Sequence, residues 1–597
     1  MSLAISPAIN YDPINLIKLT ILATIGLACL GIFFGEAKSA IASLPKVFLI
    51  FVSFFVISLF ISLLFSGAPF SQQLWGSFGR STGLLTYISL VGILLAASTI
   101  RAKEFSERLI WSLLITNVPM AIYCLIQIAD LDPVPWSSYE PFGTLGNVNF
   151  LSAFLGMCAT ASLLILFSIS LKLYMKLWLS LLTVVNLFII IQTDSIQGLI
   201  VFAAGIAVGG FFLVRHLSLK LGRWLSLSYL AGIIGTGILF AMALLNQGPL
   251  ARFIYQQTLV FRLDYMRAAI DMMKEKPLTG VGLDSYGDWY RSNRDIFAAF
   301  RTSLNRTSNT AHNIFLDVGS NAGILGLVGY LGFILVVAFY SLRKLFATKD
   351  LDVFHVAIFS VWIGYLVQSL ASINQIGVGV WGWVFSGALL SHSLISENDA
   401  QSVFKIGIKR KNKVQNQLKP LSAVLGFIGM VLGFSLSVIP TYADIKFQSG
   451  NASLNLTTLM DASKLPGSTA IHLGKTIEIA NNNNYVFQAK EMNELLIAKY
   501  PREIFGWSIR RNLDNPSAAI YEEATGKLLE LDPYAAICFQ ADSATLLFQL
   551  FQRLSPEDQV EIIKYWGLPA EATPNAAVPF TSLTQQLQIR LAGICQQ

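Results

Sequence analysis

Long apolar runs separated by short polar segments dominate the first 440 residues. A run of about 20 apolar residues crosses the ~30 Å hydrocarbon core of a bilayer as a helix. Stretches that approach this length cover residues 14–34, 45–65, 84–99, 108–129, 149–168, 173–192, 197–214, 225–245, 319–341, 352–371, 374–393 and 420–439. Because a span must satisfy its own backbone hydrogen bonds in lipid, the pattern predicts an all-α, polytopic membrane bundle of about twelve helical spans.

Two polar stretches interrupt this rhythm. Residues 246–311 form a long connection between two spans, and residues 441–597 form a polar tail. The pattern therefore predicts a transmembrane domain over residues 1–440, with the large loop inside it, and a soluble helical domain over residues 441–597. Within the tail, short amphipathic stretches between proline-containing turns are similar to tetratricopeptide-type helical repeats.

The charge distribution indicates a membrane partner and no nucleic acid. The 597 residues are 54% hydrophobic and 13% charged, whereas about a quarter of the residues in a soluble domain are charged. The formal net charge is +7, but the basic residues are concentrated in every second connection between spans. By the positive-inside rule, these connections are cytoplasmic. The loop 246–311, the tail and both termini are then expected on the external side of the plasma membrane.

The sequence contains no pattern for a metal or a cofactor, and we expect neither. The five cysteines have no metal-ligand or redox spacing, and no His-Glu-x-x-His or paired-Cys motif occurs. Two of the cysteines, Cys538 and Cys595, are candidates to pair if the tail lies in an oxidising compartment. Without a phosphate-binding nucleotide loop, energy for any synthesis must arrive in the substrate itself.

The loop 246–311 holds nine basic and six acidic residues. Arg262 is its strongest candidate for an anion site, because a guanidinium donates two parallel hydrogen bonds to phosphate oxygens and does not deprotonate. Arg267 follows on the same expected helix, which ends at Pro277. The alternative is a solvated loop that is merely basic. Arg80, at the expected external mouth of the third span, either reaches to lipid headgroups or serves a function.

His312 stands where the polar loop meets an apolar stretch. It follows Ser308, Asn309 and Thr310, which are common N-cap residues, so it is predicted in the first turn of a helix entering the membrane. The N-terminal end of a helix attracts anions and favours a neutral imidazole. A neutral imidazole acts as a general base near pH 7. The alternative reading is a histidine that only neighbours lipid headgroups.

The residues after His312 suggest how it is supported. Asn313 and Asp317 lie four positions apart, so they share one face of the expected helix. A stripe of small residues follows, which favours close packing of another helix. The stripe consists of Gly319, Gly323, Gly326 and Gly329.

Four segments together resemble a known family. They read, in chain order, "GRSTGLLTYISL", "FGTLGNVNFLSAFL", "FRLDYMRAAIDMMKEKPLTGVGLDSY" and "TAHNIFLDVGSNAGILGL". Their order and spacing resemble the O-antigen ligase and O-antigen polymerase superfamily, over roughly residues 10 to 395. The tail resembles the helical-repeat extension that some members carry.

The resemblance implies a metal-independent glycosyltransferase of the bacterial plasma membrane. Such an enzyme takes a glycan from an undecaprenyl-diphosphate carrier on the periplasmic side and joins it to an acceptor hydroxyl. Lipid, glycan and protein side chain all remain open as the acceptor, and membrane lipids or envelope proteins are further expected partners, the latter through the tail.

The same resemblance suggests roles for individual residues. His312 and Arg262 would be catalytic, with His312 activating the acceptor hydroxyl. The expected diphosphate-binding residues are Arg80, Arg262 and Arg267. The expected supporting residues around them are Asn313, Asp317 and Tyr265.

Three positions depart from the family pattern. Tyr265 stands where many members have tryptophan, and Asn147–Val148–Asn149 stands where they have Asn-Pro-Asn. After the sixth span, a Ser-Arg-Gly motif is replaced by "TDSIQGLI", so an arginine is missing around Ile196 or Gln197. If that arginine binds the diphosphate elsewhere in the family, this chain needs a substitute or has another substrate.

The main alternative is a transporter of a small anion such as bicarbonate. Carriers place ionisable groups near the middle of the bilayer on broken helices, often in repeated halves. Here the predicted spans are nearly free of charge, no internal repeat is evident, and the candidate residues gather at one edge. This distribution favours the enzyme. A third alternative, a scaffold that recruits envelope proteins through its tail, leaves His312 and the loop arginines without a role.

Overall fold

The computed structural model describes most of the chain as helices and the turns between them. The described residues are 1–136, 140–168, 171–255, 257–302, 304, 306–348, 351–395, 419–512, 516–539 and 543–565. No strand occurs among them. The predicted all-α class is therefore confirmed.

The first ten helices precede the long loop. They are α1 (Asn15–Gly35), α2 (Ala37–Ala42), α3 (Lys46–Phe65), α4 (Phe70–Trp75), α5 (Leu84–Thr99), α6 (Lys103–Ile128), α7 (Val148–Ile165), α8 (Leu173–Gln192), α9 (Gln197–Leu221) and α10 (Trp224–Leu244). The loop and the last membrane helices then follow. They are α11 (Ala251–Ile254), α12 (Gln257–Glu275), α13 (Tyr286–Asn293), α14 (Ile296–Thr302), α15 (Ile314–Ala347), α16 (Val353–Ser369), α17 (Ile376–Ser393) and α18 (Pro420–Ala452).

The tail consists of shorter helices that pack on one another in chain order. They are α19 (Leu456–Lys464), α20 (Ala470–Asn482), α21 (Val486–Lys499), α22 (Ile504–Asn512), α23 (Ala518–Leu531), a 3-10 helix (Ala535–Phe539), α24 (Ser543–Gln552) and α25 (Pro556–Tyr565). Consecutive helices contact each other from α18 to α23. The comparison with tetratricopeptide repeats stays a prediction.

Every predicted span coincides with a helix. Among the described residues, nine helices are long and apolar enough to cross a membrane: α1, α3, α6, α7, α8, α9, α10, α15 and α18. The remaining predicted spans correspond to α5, α16 and α17. A polytopic membrane protein is therefore confirmed, while the number of spans stays a prediction.

Small residues allow the membrane helices to pack closely, as expected where lipid provides no hydrophobic drive for association. On α15, a Cβ added to Gly326 would meet Ser58 of α3, and one added to Gly329 would meet Phe55. The predicted packing role is thus confirmed at these two glycines. Helix α3 also ends beside the loop, which places the loop against the start of α15.

Helix α15 is interrupted at Gly323, whose φ of 76° lies in the left-handed region. The prediction that Gly323 belongs to a continuous packing stripe is wrong. The amide of Val281 donates to the Ser320 carbonyl at 2.8 Å. The amide of Gly282 donates to the Asn321 carbonyl at 3.2 Å. Backbone groups exposed by the break are satisfied by the glycine-rich turn of the loop, as a broken membrane helix requires.

The last membrane helix continues past the predicted domain boundary at residue 440. Pro440 has no amide hydrogen, so the carbonyl of Leu436 loses its helical partner. The indole Nε1 of Trp75 donates to that carbonyl at 2.9 Å. Helix α18 therefore runs through the proline to Ala452, and the next helix begins only at Leu456. The division into domains stays a prediction, with a continuous helix across its proposed boundary.

One end of the bundle, here termed the loop end, carries residues 1–14, residues 66–83, the long loop and the tail. The buried carboxylate of Asp444 on α18 accepts from the amide of Tyr11 at 2.7 Å. The Nε2 atom of His472 in the tail lies 3.1 Å from the same carboxylate. Asp12 accepts from the amide of Gly79 at 3.2 Å. The chain start and the tail therefore meet at the loop end, as predicted, while the side of the membrane stays a prediction.

Candidate active site

Three of the sequence motifs meet at a buried arginine. Arg80, 4% exposed, lies between the carboxylates of Asp284 and Asp317. Its Nε is 3.0 Å from Asp284 Oδ1, and its Nη2 is 3.1 Å from Asp317 Oδ2. Its Nη1 also donates to the carbonyl of Asn309 at 2.9 Å. Arg80, Asp284 and Asp317 are here called the Arg80 cluster.

Each carboxylate of the cluster also fixes a stretch of backbone. Asp284, in the glycine-rich turn, accepts from the amides of Ser77 at 2.7 Å and Thr82 at 3.2 Å. Asp317, in the first turn of α15, accepts from the amide of Ala311 at 3.3 Å. The cluster therefore ties the segment before α5, the loop and the start of α15 into one unit.

The charge of Arg80 is already neutralised inside the protein. Burial opposes that charge, but the carboxylates of Asp284 and Asp317 outweigh it and raise the pKa of Arg80. A guanidinium engaged by two carboxylates and a carbonyl has little capacity left for a phosphate group. These contacts fix the segments around the site, and the diphosphate contact of Arg80 stays a prediction.

His312 lies just before helix α15. The helix begins at Ile314 and Asn313 is its N-cap, with the Asn313 side chain accepting from the amide of Leu316 at 3.1 Å. The prediction that His312 occupies the first turn is therefore wrong. The reason is local, because the hydroxyl of Thr310 accepts from the His312 amide at 3.0 Å and forms a separate turn. His312 adopts a left-handed backbone, with φ of 49°.

The imidazole of His312 is held neutral. Burial, followed by the positive charges of Arg262 and Arg80, lowers its pKa from 6.5 to about 4. Its ring centroid lies 5.2 Å from that of Tyr265. A neutral imidazole was predicted from the helix terminus, whereas burial and two nearby arginines produce it. Near pH 7 the side chain is a proton acceptor.

Arg262 lies on α12 beside this histidine. The helix buries one apolar face against α13 and Ala311, and that face consists of Phe261, Tyr265, Ala268, Ala269 and Met272. Arg262 is partly buried, and burial lowers its pKa. No described residue forms an ion pair or hydrogen bond with its guanidinium. Among the described residues, Arg262 is therefore a positive charge without an ion-pair partner next to His312, and the anion site stays a prediction.

Arg306 adds a second positive charge that the sequence did not single out. Its guanidinium lies 4.1 Å from the centre of the Phe261 ring, and it hydrogen-bonds the hydroxyl of Tyr265. No carboxylate among the described residues pairs with it. The position of Arg306 six residues before His312 was the available signal. Arg262, Arg306, Tyr265 and His312 are here called the Arg262 surface.

Arg267 does not join this surface. It follows Arg262 by five positions, which rotates its side chain well away around a helix of 3.6 residues per turn. Its side chain is 61% exposed and lies 3.7 Å from Asp295. An exposed pair of this kind contributes little. The predicted diphosphate contact of Arg267 has no support in this geometry.

Asn313 and Tyr265 support the site in different ways. Asn313 caps α15, and its Nδ2 donates to the carbonyl of Leu370 at 3.0 Å. Tyr265 packs directly on the imidazole, and its carbonyl accepts from the hydroxyl of Tyr286 at 2.7 Å. Asn313 therefore fixes the backbone next to His312, and Tyr265 fixes the ring.

The position of the missing family arginine is neutral. Gln197 is buried at 6% exposure, and its Nε2 donates to Gln368 Oε1 at 3.0 Å. Ile196 is 54% exposed and carries no polar group. The neighbouring Ser195 hydroxyl donates to Asn149 at 2.8 Å. The amide pair of Gln197 and Gln368 thus stands where the resemblance leads one to expect an arginine. A second positive charge beside Arg262 must therefore come from another part of the chain.

Residues 178–331 match the family model described as O-antigen ligase. About a quarter of the chain is therefore similar to O-antigen ligases. The matched residues include the whole Arg262 surface as well as Asp284 and Asp317, but they exclude Arg80. Members of this family are glycosyltransferases, which supports an enzyme. No curated protein matches the chain.

The remaining sequence expectations concern metals and cysteines. No group of three or more histidine, cysteine, aspartate or glutamate side chains that could hold a metal occurs within the described residues. Cys538 is disulfide-bonded, and Cys595, its predicted partner, lies outside the described residues. Metal independence stays a prediction.

Proposed function

We propose that this chain transfers a glycan from an undecaprenyl-diphosphate carrier to an acceptor hydroxyl. One observation carries the proposal: Arg262 lies beside the neutral His312, Arg306 contacts the neighbouring Tyr265, and neither arginine has a carboxylate partner among the described residues. Exposed cations usually find carboxylates in a loop with six acidic residues. Two arginines that lack such a partner among the described residues are suited to an anionic ligand that comes from outside the protein.

The diphosphate of the donor supplies that anion. The guanidiniums of Arg262 and Arg306 would each donate to its oxygens. As the sugar leaves, negative charge grows on the diphosphate, and fixed cations at that point stabilise the transition state. Arg306 would take the place of the arginine that is missing near Gln197. The Arg80 cluster would hold the loop and the start of α15 in register.

The reaction is a single displacement. The acceptor oxygen attacks the anomeric carbon while the bond from that carbon to the diphosphate oxygen breaks. His312 takes the hydroxyl proton, which is the task of a general base. The products are the glycosylated acceptor and undecaprenyl diphosphate, and direct attack inverts the configuration at the sugar carbon.

The proposed reaction occurs on the external side of the bacterial plasma membrane. A disulfide at Cys538 supports this placement, because disulfides persist in oxidising compartments. The tail meets the loop end, so an acceptor held by the tail would lie near the site. A lipid, a glycan and a protein hydroxyl all remain possible acceptors.

The transporter alternative gains one feature from the structure, the break of α15 at Gly323, since carriers often use broken helices. In carriers, however, the exposed carbonyls of a break coordinate the ion. Here the amides of Val281 and Gly282 donate hydrogen bonds to the carbonyls of Ser320 and Asn321. Because these carbonyls already have partners, the break favours the enzyme over the transporter.

The test uses the purified full-length chain in nanodiscs, supplied with undecaprenyl-diphosphate oligosaccharide and a mixed pool of acceptors. Release of undecaprenyl diphosphate is measured for the wild type and for His312→Ala. Arg267→Gln is the matched control, because it removes an exposed loop cation outside the site. In parallel, uptake of bicarbonate is measured in proteoliposomes that contain the protein.

The proposal expects release by the wild type and by Arg267→Gln, with release lost in a folded His312→Ala variant. Absence of release across broad donors and acceptors, together with uptake of bicarbonate by the proteoliposomes, would instead establish the transporter.

A further inference from the structure

A cavity of about 610 Å³ lies between the tail and the loop end of the membrane domain. Its walls come from residues 71–81, from loop residues between Gly287 and Asn309, and from tail residues between Gly467 and Ala536. The chain start and α18 add Asp12, Leu16, Pro440 and Asp444. The volume lies within the usual range of small-molecule sites. Neither Arg262 nor His312 lines it, so the proposed transfer site does not account for it.

Buried contacts between the tail and the loop hold the cavity open. Asp532 of the tail is 2.8 Å from Arg291 and 2.9 Å from Arg294. The Nε of Arg502 donates to the carbonyl of Asp288 at 3.0 Å. The guanidinium of Arg502 also lies 3.6 Å from the centre of the Trp289 ring. The space is therefore a preformed site with fixed walls.

The charge of the lining excludes a phosphate ligand. Carboxylates outnumber arginines there, by Asp12, Asp288, Asp444, Glu503 and Asp532 against Arg291 and Arg502. Both arginines are already engaged, Arg291 by Asp532 and Arg502 by the loop backbone. An anion would meet an excess of carboxyl groups, and both arginines already contact other parts of the protein. The ligand of this cavity therefore differs from the diphosphate.

The two least committed carboxyl groups suit hydroxyl groups. Asp288 accepts from Gln72 through one oxygen, at 2.8 Å. Burial and the nearby Glu503 raise the pKa of Asp288 to about 7, and burial raises the pKa of Glu503. Near neutral pH, Asp288 therefore donates as well as accepts hydrogen bonds, and neither carboxyl group requires a cation.

Aromatic rings complete the lining. Trp75, Phe78, Tyr500 and Phe505 stand around the polar groups. Ligand sites combine apolar surface with a few polar groups that fix orientation. A sugar ring has both parts, because its C–H faces pack on aromatic rings and its hydroxyls bond to carboxyl groups.

We propose that this cavity binds a saccharide segment of a glycan, through Asp288, Glu503 and the surrounding rings. The inference rests on the proposed glycosyl transfer for the identity of that glycan. The position fits, because Asn309 lines the cavity and its carbonyl accepts from Arg80 at 2.9 Å. One wall of the cavity is thus the segment that leads to His312.

The test is binding of a free oligosaccharide to the full-length protein in nanodiscs, measured by saturation-transfer NMR. The probe is the oligosaccharide released by mild acid from the lipid-linked donor, so it carries no diphosphate for Arg262. Ser508→Trp fills the cavity from α22, and Asp288→Ala removes the carboxyl group. Ser453→Trp, at an exposed position, and Asp271→Ala, at a partly exposed one, are matched controls outside the lining.

We expect the wild type and both controls to bind the probe. Asp288→Ala should bind it about tenfold more weakly, because a hydrogen bond to the saccharide is lost. Ser508→Trp should bind it at least as weakly as Asp288→Ala, because the indole occupies the cavity. Equal binding by Ser508→Trp, Asp288→Ala and wild type would overturn the inference. So would binding of a lysine-rich peptide without binding of the oligosaccharide.

Steady-state kinetics then separate the two sources of the saccharide. If the cavity holds the donor glycan, Ser508→Trp raises KM for the donor alone; if it holds the acceptor, KM for the acceptor alone rises. The oligosaccharide could bind in a way that depends on Ser508 while no undecaprenyl diphosphate is released. That result would contradict the proposed transfer and still support the saccharide site.

Discussion

Two arginines beside the same histidine have opposite surroundings. Arg80 is buried and paired with Asp284 and Asp317 at 3.0 and 3.1 Å. Arg262 is only partly buried and has no ion-pair partner among the described residues. Both contribute to the low pKa of His312. The same residue type thus serves structure at one position and remains available for a ligand at the other.

The comparison shows that a conspicuous charge does not by itself mark a binding residue. Arg80 stood out because a cation is disfavoured at that edge of the membrane, and buried carboxylates explain its presence. Arg306 did not stand out, yet it stacks on Phe261 and has no carboxylate partner among the described residues. Whether a cation is already compensated distinguishes these positions, and variants can test each side of the contrast.

The largest effect is expected at the histidine that the two arginines share. His312→Ala removes the proton acceptor, so release of undecaprenyl diphosphate should fall about 100- to 10,000-fold, the range for a lost general base. Thermal unfolding should change little, because the partly exposed ring forms no side-chain hydrogen bond among the described residues. His216→Ala, on α9 outside the site, is the matched control. If His312→Ala still releases undecaprenyl diphosphate at the rate of the wild type, His312 is not the general base.

The paired arginine should affect folding first. Arg80→Gln leaves two buried carboxylates without a cation, and breaking a buried pair costs about 3–5 kcal/mol. We expect a clearly lower melting temperature in detergent. The double variant Arg80→Gln with Asp284→Asn should regain part of the loss, because the two changes are coupled. If Arg80→Gln melts at the temperature of the wild type but releases no undecaprenyl diphosphate, Arg80 would instead be a residue that binds the diphosphate.

Arg306→Gln should have a smaller effect, confined to activity. The side chain is exposed, so the loss of one charge-assisted contact is expected to reduce release about tenfold. The melting temperature should remain that of the wild type. Arg267→Gln removes a comparable exposed charge outside the surface and should leave release unchanged. Equal rates for both variants would exclude Arg306 from the substrate site.

The smallest expected effect is a displacement in pH. With a pKa of about 4, His312 stays neutral from pH 8 down to about 5, so kcat/KM should fall only near pH 4. Removing a positive neighbour favours the protonated ring, so Arg262→Gln should shift this acidic limb upwards. Measuring kcat/KM for both proteins over pH 3.5–8 tests this. A limb near the ordinary histidine value of 6.5 in the wild type would contradict the assigned surroundings.

Local patterns were sufficient for most of the fold. The apolar runs predicted each of the nine described helices that are long and apolar enough to cross a membrane. Pro277 correctly marked the end of α12, whose last residue is Glu275. Arg262 and His312, chosen from the sequence, do lie together. These features depend on residues close in the chain or on helix periodicity, which a sequence states directly.

The missed features depend on contacts between distant segments. Trp75 allows α18 to continue through Pro440 by bonding the freed carbonyl of Leu436. The glycine-rich turn allows the break at Gly323 by bonding the interrupted helix. Asp284 is more than 200 positions from Arg80, and no sequence feature near Asp284 indicates that the two residues form an ion pair. Periodicity contains no information about such partners.

The most direct test of the central claim is the affinity of the full-length protein for undecaprenyl diphosphate in nanodiscs. The wild type, Arg262→Gln and the matched control Arg267→Gln would be compared at one salt concentration. We expect Arg262→Gln to raise Kd at least about tenfold, since a charge-assisted contact is lost, and Arg267→Gln to leave Kd unchanged. Equal affinities for the wild type and Arg262→Gln would contradict the assignment of the diphosphate to the Arg262 surface.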